Sequence, residues 1–133
     1  MAIISKKYKI NFIDAPVAGS KAPAEKGELL FLVGGDNRIV EQCAPYFNAM
    51  GKNCIHLGEN GKGTAMKMVF NLLLGQAMYA FSEGMALGES MGIDKEMLFN
   101  VLLKSPVVAP FITLKKEKMD KVAYDPDFSL QWM

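Results

Sequence analysis

The 133-residue sequence predicts an α+β fold, and three observations carry that reading. Short β-prone runs and one helical pattern precede Gly61, whereas only helical patterns follow it. Residues 28–33 (Glu-Leu-Leu-Phe-Leu-Val) form an apolar run ended by Gly34 and Gly35, as in a strand buried on both faces. A stretch from 64 to about 91 lacks proline, and its apolar residues, among them Met66, Val69, Phe70, Leu73, Phe81 and Met85, cover nearly the whole circumference of a helix. A helix apolar all round is expected to be buried, and at 1.5 Å per residue it would span roughly 40 Å.

Half of the residues are hydrophobic and the formal net charge is +1. That balance argues against nucleic acid or an anionic membrane surface as partner. Small anionic substrates stay open, because local groups read them. Residues 1–10 hold only a short apolar start before Lys6, Lys7 and Lys9, unlike a secretory signal. The 64–81 stretch approaches transmembrane length, but Lys67, Asn71 and Gln76 interrupt it, so a core helix is expected. Cys43 and Cys54 fit no metal or redox spacing and read as small buried hydrophobes. A reducing, cytoplasmic location is the simplest expectation.

Taken in order, residues 8–14 (Tyr-Lys-Ile-Asn-Phe-Ile-Asp) read as a first strand, and Pro16 and Gly19 mark a loop over 15–20. Residues 21–27, which include Pro23, are expected to be irregular. After the apolar strand, Asp36 is a good N-cap for a helix carrying Ile39, Val40 and Cys43. Pro45 should kink or restart that helix before Phe47, and Gly51 should close it. Residues 53–57 make a short third strand. His56 near its end has no carboxylate or cysteine cluster beside it in sequence, and reads as structural or solvent-facing. Beyond the long helix, Gly92 is a stop and Asp94 caps a helix with Met97, Leu98, Val101 and Leu102 on one stripe. Ser105-Pro106 ends that helix or opens the next. A further helical segment covers 110–119 with Lys115, Lys116 and Lys118 on its wet face, and Asp125-Pro126 opens a last piece.

The chemistry concentrates at Gly58, Gly61 and Gly63 and just after them. Lys67 and Asn71 are four residues apart on the long helix and project from one face, with Gly75 a turn further on leaving space. An amine in apolar company loses hydration and exchanges protons closer to neutral pH. The plainer alternative is that Lys67 snorkels to the surface near the helix start. Two phosphate-loop templates fail here. Gly58-x-x-x-x-Gly63 is followed by Thr64 where a triphosphate loop requires lysine, and Gly58-x-x-Gly61-x-Gly63 reverses the dinucleotide fingerprint. The turn can still bring backbone N–H groups to an anion at the helix start.

Asp14-Ala15-Pro16-Val17-Ala18-Gly19 resembles the substrate-binding signature of the β-hydroxyacid dehydrogenases, and Gly58-x-x-Gly61-x-Gly63-x-x-x-Lys67-x-x-x-Asn71 resembles their catalytic signature. Residues 19–25 and Phe81-Ser82-Glu83-Gly84 further resemble the branch of NADPH-dependent glyoxylate and succinic semialdehyde reductases. The resemblance implies that residues 1–60 are the end of a Rossmann-type cofactor domain. Residues 61–133 would then be a long interdomain helix and the start of an all-α domain. It also implies an internal piece, because the dinucleotide fingerprint is absent and residues 128–133 resemble the lead-in to a further Lys-Asp motif.

By the same resemblance, Lys67 is the general acid that protonates the forming alkoxide, and Asn71 orients the substrate or the lysine. Ala18, Gly19 and Ser20 would hold the substrate carboxylate, Phe111 would line the pocket, and Lys62 and Gly63 would lie beside the cofactor. The implied cofactor is NADPH, with NAD as the alternative, the partner is a small aldehyde or hydroxy acid, and a homo-oligomer is expected. Ala18 stands where a serine is usual, so one hydroxyl donor is lost, and Ser20 is the candidate replacement. Two other readings stay open. One is a 6-phosphogluconate dehydrogenase-like enzyme, ranked lower because Lys67 lacks a nearby histidine. The other is a non-catalytic assembly module whose long helix packs on a symmetry mate through Gly75, Gly84 and Gly88.

Overall fold

The structure, a computed structural model, describes residues 1–126. The piece expected at 128–133 lies outside the described residues. The described chain divides into two compact units, Met1–Asn71 and Leu72–Pro126.

The first unit is built on strand β3 (Leu29–Gly35). Phe31, Leu32 and Val33 are at most 5% exposed, so the apolar run at 28–33 is the central, doubly covered strand it was expected to be. Strand β4 (Gly51–His56) pairs with it in parallel. Along the other edge run β1 (Ile13–Asp14) and β2 (Val17–Ala18), both antiparallel to β3 and in one common register, Ile13 opposite Gly35 and Ala18 opposite Leu30. They amount to one edge strand interrupted at Ala15-Pro16. Proline has no N–H for the ladder, although the Pro16 carbonyl still accepts from Leu32 N–H at 2.9 Å. Helix α3 (Asn37–Met50) covers one face and contributes Val40 and Phe47 to a core with Phe31 and Val33. The Phe31 and Phe47 rings lie 4.8 Å apart. Each such buried side chain contributes roughly 1.5–3 kcal/mol.

Several local expectations are corrected. The first strand does not begin at Tyr8, because a short helix, α1 (Ala2–Lys7), occupies the start. It ends with Lys9 at φ 54° and Ile10 N–H donating back to the Ser5 carbonyl, a left-handed cap that turns the chain away before it can extend. The loop expected over 15–20 contains β2, because β3 offers it a partner. Residues 21–27 are not wholly irregular either, since α2 (Lys21–Glu25) forms after Ser20. Pro45 does not restart α3, which runs unbroken to Met50 with Val40 and Phe47 buried on either side of the proline. Asp36 caps it as expected, accepting from Arg38 N–H at 2.9 Å.

Helix α4 (Lys62–Ser90) has 29 residues, of which 62–71 belong to the first unit and 72–90 to the second. It is the long helix expected, but it is not buried all round. Met68, Leu72, Leu73, Tyr79 and Leu87 are each more than 60% exposed. The described chain supplies neighbours to only part of its surface. Among the described residues no helix is long and apolar enough to cross a membrane.

In the second unit, Phe81 and Met85 of α4 pack with Leu98 and Phe99 of α5 (Lys95–Leu102) and with Ile112. Gly88 is taken up inside the chain, since a Cβ there would come within 2.6 Å of Leu98. It is therefore not open to a symmetry mate, as the assembly reading required. Gly92, at φ 82°, ends α4 as expected, and Asp94 caps α5 through Met97 N–H. The buried stripe of α5 is Leu98 and Phe99 with Leu102 beside them, while Met97 and Val101 face outward at 58% and 62% exposure.

Residues 110–120 form a 3-10 turn (Pro110–Lys115) followed by α6 (Lys116–Asp120). The lysines there are half-buried rather than on a wet face. Lys116 sits 4.9 Å from the centre of the Phe99 ring and pairs with Asp120 and Glu96. The Asp120 carboxylate raises its pKa against a smaller opposing effect of desolvation.

One interaction joins β1 to α4. The Asp14 carboxylate accepts from Gly61 N–H at 2.6 Å, from Thr64 N–H at 2.7 Å and from the Thr64 hydroxyl at 3.0 Å. Burial alone would raise the Asp14 pKa, but these hydrogen bonds together outweigh it and the net shift is downward. The helix reaches the sheet because of Gly63, where a Cβ would collide with the Leu32 carbonyl oxygen and stand 2.9 Å from that of Asp14.

Gly63→Ala should destabilise the protein by about 1–3 kcal/mol through overpacking. Gly84→Ala, at a helix position with nothing within 4 Å, should be neutral or stabilising by up to about 1 kcal/mol. Urea unfolding of the two variants checks the contrast. For Asp14, a folded pKa below the unfolded value near 3.9 adds stability that is complete above that value and is lost as pH falls through the folded pKa. Asp14→Asn should thus lower the urea midpoint at pH 7 and flatten the part of the wild-type stability loss that occurs below about pH 4.

Candidate active site

The site expected from the sequence has two halves, a loop at 18–20 and a helix face at Lys67 and Asn71. Ala18 ends β2, half-buried and paired with Leu30. Gly19 follows at φ 131°, and a Cβ on it would meet the Leu29 side chain at 2.9 Å and Pro23 at 3.2 Å. The chain can turn there only as glycine. Ser20 is the N-cap residue of α2 with an extended backbone, and its side chain makes no capping hydrogen bond. An exposed glycine and an exposed serine thus follow a pinned strand, so the segment combines a fixed root with accessible backbone.

The glycine turn between β4 and α4 is held from several sides. Gly58 and Gly61 have φ of 103° and 92°, which favour glycine. Gly35 N–H donates to the Gly58 carbonyl at 2.8 Å, and Asn60 donates its side-chain amide to the Phe12 carbonyl at 2.7 Å. His56 Nε2 lies 2.8 Å from the Gly35 carbonyl and 3.1 Å from that of Gly58, so this histidine is a structural tie, one of the two roles expected for it. Cys43 and Cys54 are free thiols packed against the sheet–helix core but half-buried rather than buried as expected, and burial pushes the Cys54 thiol pKa up. Among the described residues no cluster of His, Cys, Asp or Glu could hold a metal ion.

The anion expected at the start of α4 is the chain's own Asp14. Gly61 and Thr64 direct their N–H groups to that carboxylate, and Lys62 N–H is turned to the Glu59 carbonyl. Gly63 is buried against β3, while the Lys62 side chain is exposed. The N–H groups of Gly61, Lys62 and Thr64 are therefore committed internally.

Lys67 is half-buried and Asn71 exposed on the same side of α4, and Gly75 beyond them has nothing within 4 Å of a would-be Cβ. Ala18, Gly19, Ser20, Lys62, Gly63, Lys67 and Asn71 all belong to the first unit. Phe111 belongs to the second, half-buried against its core. That unit has a cavity of about 250 Å³ lined by Phe81, Met85, Glu89, Lys95, Phe99 and Tyr124 among others, and no expected site residue lines it. Sequence reasoning missed the link between the halves. Asp14 opens the first signature and is hydrogen-bonded into the second, 47 and 50 positions away. An acid at that place was visible, but its partners were not.

Residues 2–58 match the NAD binding domain of 6-phosphogluconate dehydrogenase. Residues 61–133 match the NAD-binding domain of NADP-dependent 3-hydroxyisobutyrate dehydrogenase. Glyoxylate/succinic semialdehyde reductase 2, chloroplastic, of Arabidopsis thaliana is 42% identical over 132 residues, 97% of this chain and 37% of that protein. Glyoxylate/succinic semialdehyde reductase 1 of the same plant is 38% identical over 120 residues, 90% of this chain and 42% of that protein. Among solved structures, a 3-hydroxyisobutyrate dehydrogenase from Salmonella typhimurium superposes with a TM-score of 0.83 at 23% identity, over 96% of this chain and 45% of that one, which speaks to the fold. The chain thus spans about two fifths of the length of these two curated relatives. With both signatures present on the matching fold, and with more than half of its length matched by one of these domains, the chain belongs to the β-hydroxyacid dehydrogenase family.

Proposed function

We propose that this chain supplies the proton donor and the substrate-carboxylate loop of an NADPH-dependent reductase of small aldehyde acids, of the glyoxylate or succinic semialdehyde type. The observation that carries the reading is the Asp14 tie, which joins the loop signature to the start of the Lys67 helix within one compact unit. Reducing an aldehyde to an alcohol takes a hydride at carbon and a proton at oxygen. A bound nicotinamide supplies the hydride, with NAD as the alternative carrier. The chain's part is to hold the substrate and give the proton. Lys67 as ammonium donates it from Nζ to the forming alkoxide and regains one from solvent, and Asn71, one turn on, orients the oxygen or the lysine. Gly19 and Ser20 N–H groups hold the carboxylate, because Ala18 offers no side-chain donor. Lys62, exposed beside the buried Gly63, is the residue to meet a cofactor phosphate.

A second reading rests on the match of residues 2–58, namely a 6-phosphogluconate dehydrogenase-like enzyme acting on a larger sugar acid. Full-length protein assayed with NADPH and glyoxylate or succinic semialdehyde, against NADP and 6-phosphogluconate, separates the two. Turnover with the sugar acid alone would replace the first reading.

Two predictions test the roles. In the full-length enzyme Lys67→Ala should lower kcat by roughly 10²–10⁴-fold, the usual scale for losing a general acid. The KM for the aldehyde acid should change far less. A rise in KM at constant kcat, in steady-state assays, would assign Lys67 to binding instead. Ala18→Ser should tighten binding of the acid substrate, one charge-assisted hydrogen bond being worth about 1.5–3 kcal/mol at best. The gain should vanish for the corresponding uncharged aldehyde, so equal gains for both would show that the loop does not read the carboxylate.

A further inference from the structure

We propose that Asp14 is a positioning residue for this reaction, setting the rotation of α4 that fixes Lys67 relative to the loop at Ala18, Gly19 and Ser20. The inference rests on the Lys67 role proposed above. Both carboxylate oxygens are engaged, Oδ1 by Gly61 N–H at 2.6 Å and Oδ2 by Thr64 N–H at 2.7 Å and the Thr64 hydroxyl at 3.0 Å. Contacts to two residues of one helical turn fix its rotation as well as its height. Thr64 and Lys67 are neighbours three apart on that helix, roughly 4.5 Å along its axis.

On its other side Asp14 is four residues from Ala18, and the segment between them is pinned to β3 in one register. The path from the lysine to the loop is therefore short and passes through one carboxylate.

The surrounding packing leaves little tolerance. A Cβ on Gly34 would stand 2.7 Å from Asp14 Oδ1 and from the Glu59 carbonyl, and 3.0 Å from Gly63 N. The other polar side chains at the turn, His56 and Asn60, bind Gly35, Gly58 and Phe12 and do not reach α4 itself. Asp14 is the one side chain of β1 or β2 whose described hydrogen bonds reach α4.

Magnitudes favour a catalytic consequence. An extended lysine carries its ammonium roughly 8 Å from the helix axis, so a 20° rotation moves it by about 3 Å. A misplacement of about 1 Å can already cost on the order of 10²-fold in rate. A plain capping role would instead cost stability and leave the rate of the folded enzyme unchanged.

The test is a double-mutant cycle in the full-length enzyme with NADPH and glyoxylate, plus NMR of the 13C-methylated lysines. Asp14→Asn should lower kcat roughly 10–100-fold with the KM for NADPH unchanged. Added to Lys67→Ala, it should cost nothing further, because the two act through one group. The methylated Lys67 signal, identified by its loss in Lys67→Ala, should shift in Asp14→Asn. Thr64→Val removes only the hydroxyl bond and should give a smaller loss with the same non-additivity, and it carries the cycle if Asp14→Asn does not fold. Losses that multiply, or an unmoved Lys67 signal, would overturn the proposal and leave Asp14 a cap. If Lys67→Ala leaves kcat intact, the general-acid reading fails by itself, and the lysine signal alone then decides whether Asp14 positions it.

Discussion

A helix start packed against a sheet needs an acceptor for its first N–H groups, and here a side chain of the sheet provides it. Asp14 satisfies two of the donors that every helix leaves unpaired at its beginning. The carboxylate also complements the positive end of the macrodipole of a 29-residue helix. Charge-assisted bonds of this kind are about twice as strong as neutral ones. Both signatures of the family meet at this point. The residues between them, β3 through β4 and the glycine turn, form the frame that brings the two together.

Close approach is the second requirement, and it explains the glycines better than phosphate binding does. Gly63 lies against the Leu32 and Asp14 carbonyls, and Gly34 against Asp14 and Glu59. Neither position has room for a methyl group. The turn resembles a phosphate loop in composition because both need backbone to approach something closely. In this chain that partner is the protein's own sheet, and the anion is its own aspartate.

The second unit is organised around Phe99, whose ring is buried at 1% exposure beneath the ammonium groups of Lys116 and Lys95 at 4.9 and 5.7 Å. A lysine over an aromatic face keeps its charge while its stem covers apolar surface. This is why 110–120 read as a wet helix in sequence yet lies half-buried. Charge alone did not say which way the lysines lean.

What the sequence by itself determined was whatever depends on neighbours within a turn or a strand. The apolar run became β3, Asp36 and Asp94 capped α3 and α5, and Gly92 ended α4. The two signatures named the family, because they carry side-chain types at fixed short spacing. Tertiary structure decided the rest, since the competing energies were non-local. Tyr8 to Phe12 have strand propensity but lose it to the left-handed cap at Lys9. Val17 and Ala18 have loop neighbours but gain a ladder on β3. The apolar girth of α4 promised burial, yet burial requires partners, and propensity cannot supply them. The pairing of Asp14 with Gly61 and Thr64 spans 47 and 50 positions. No periodicity reports such a contact, because only the folded sheet places that carboxylate at the end of that helix.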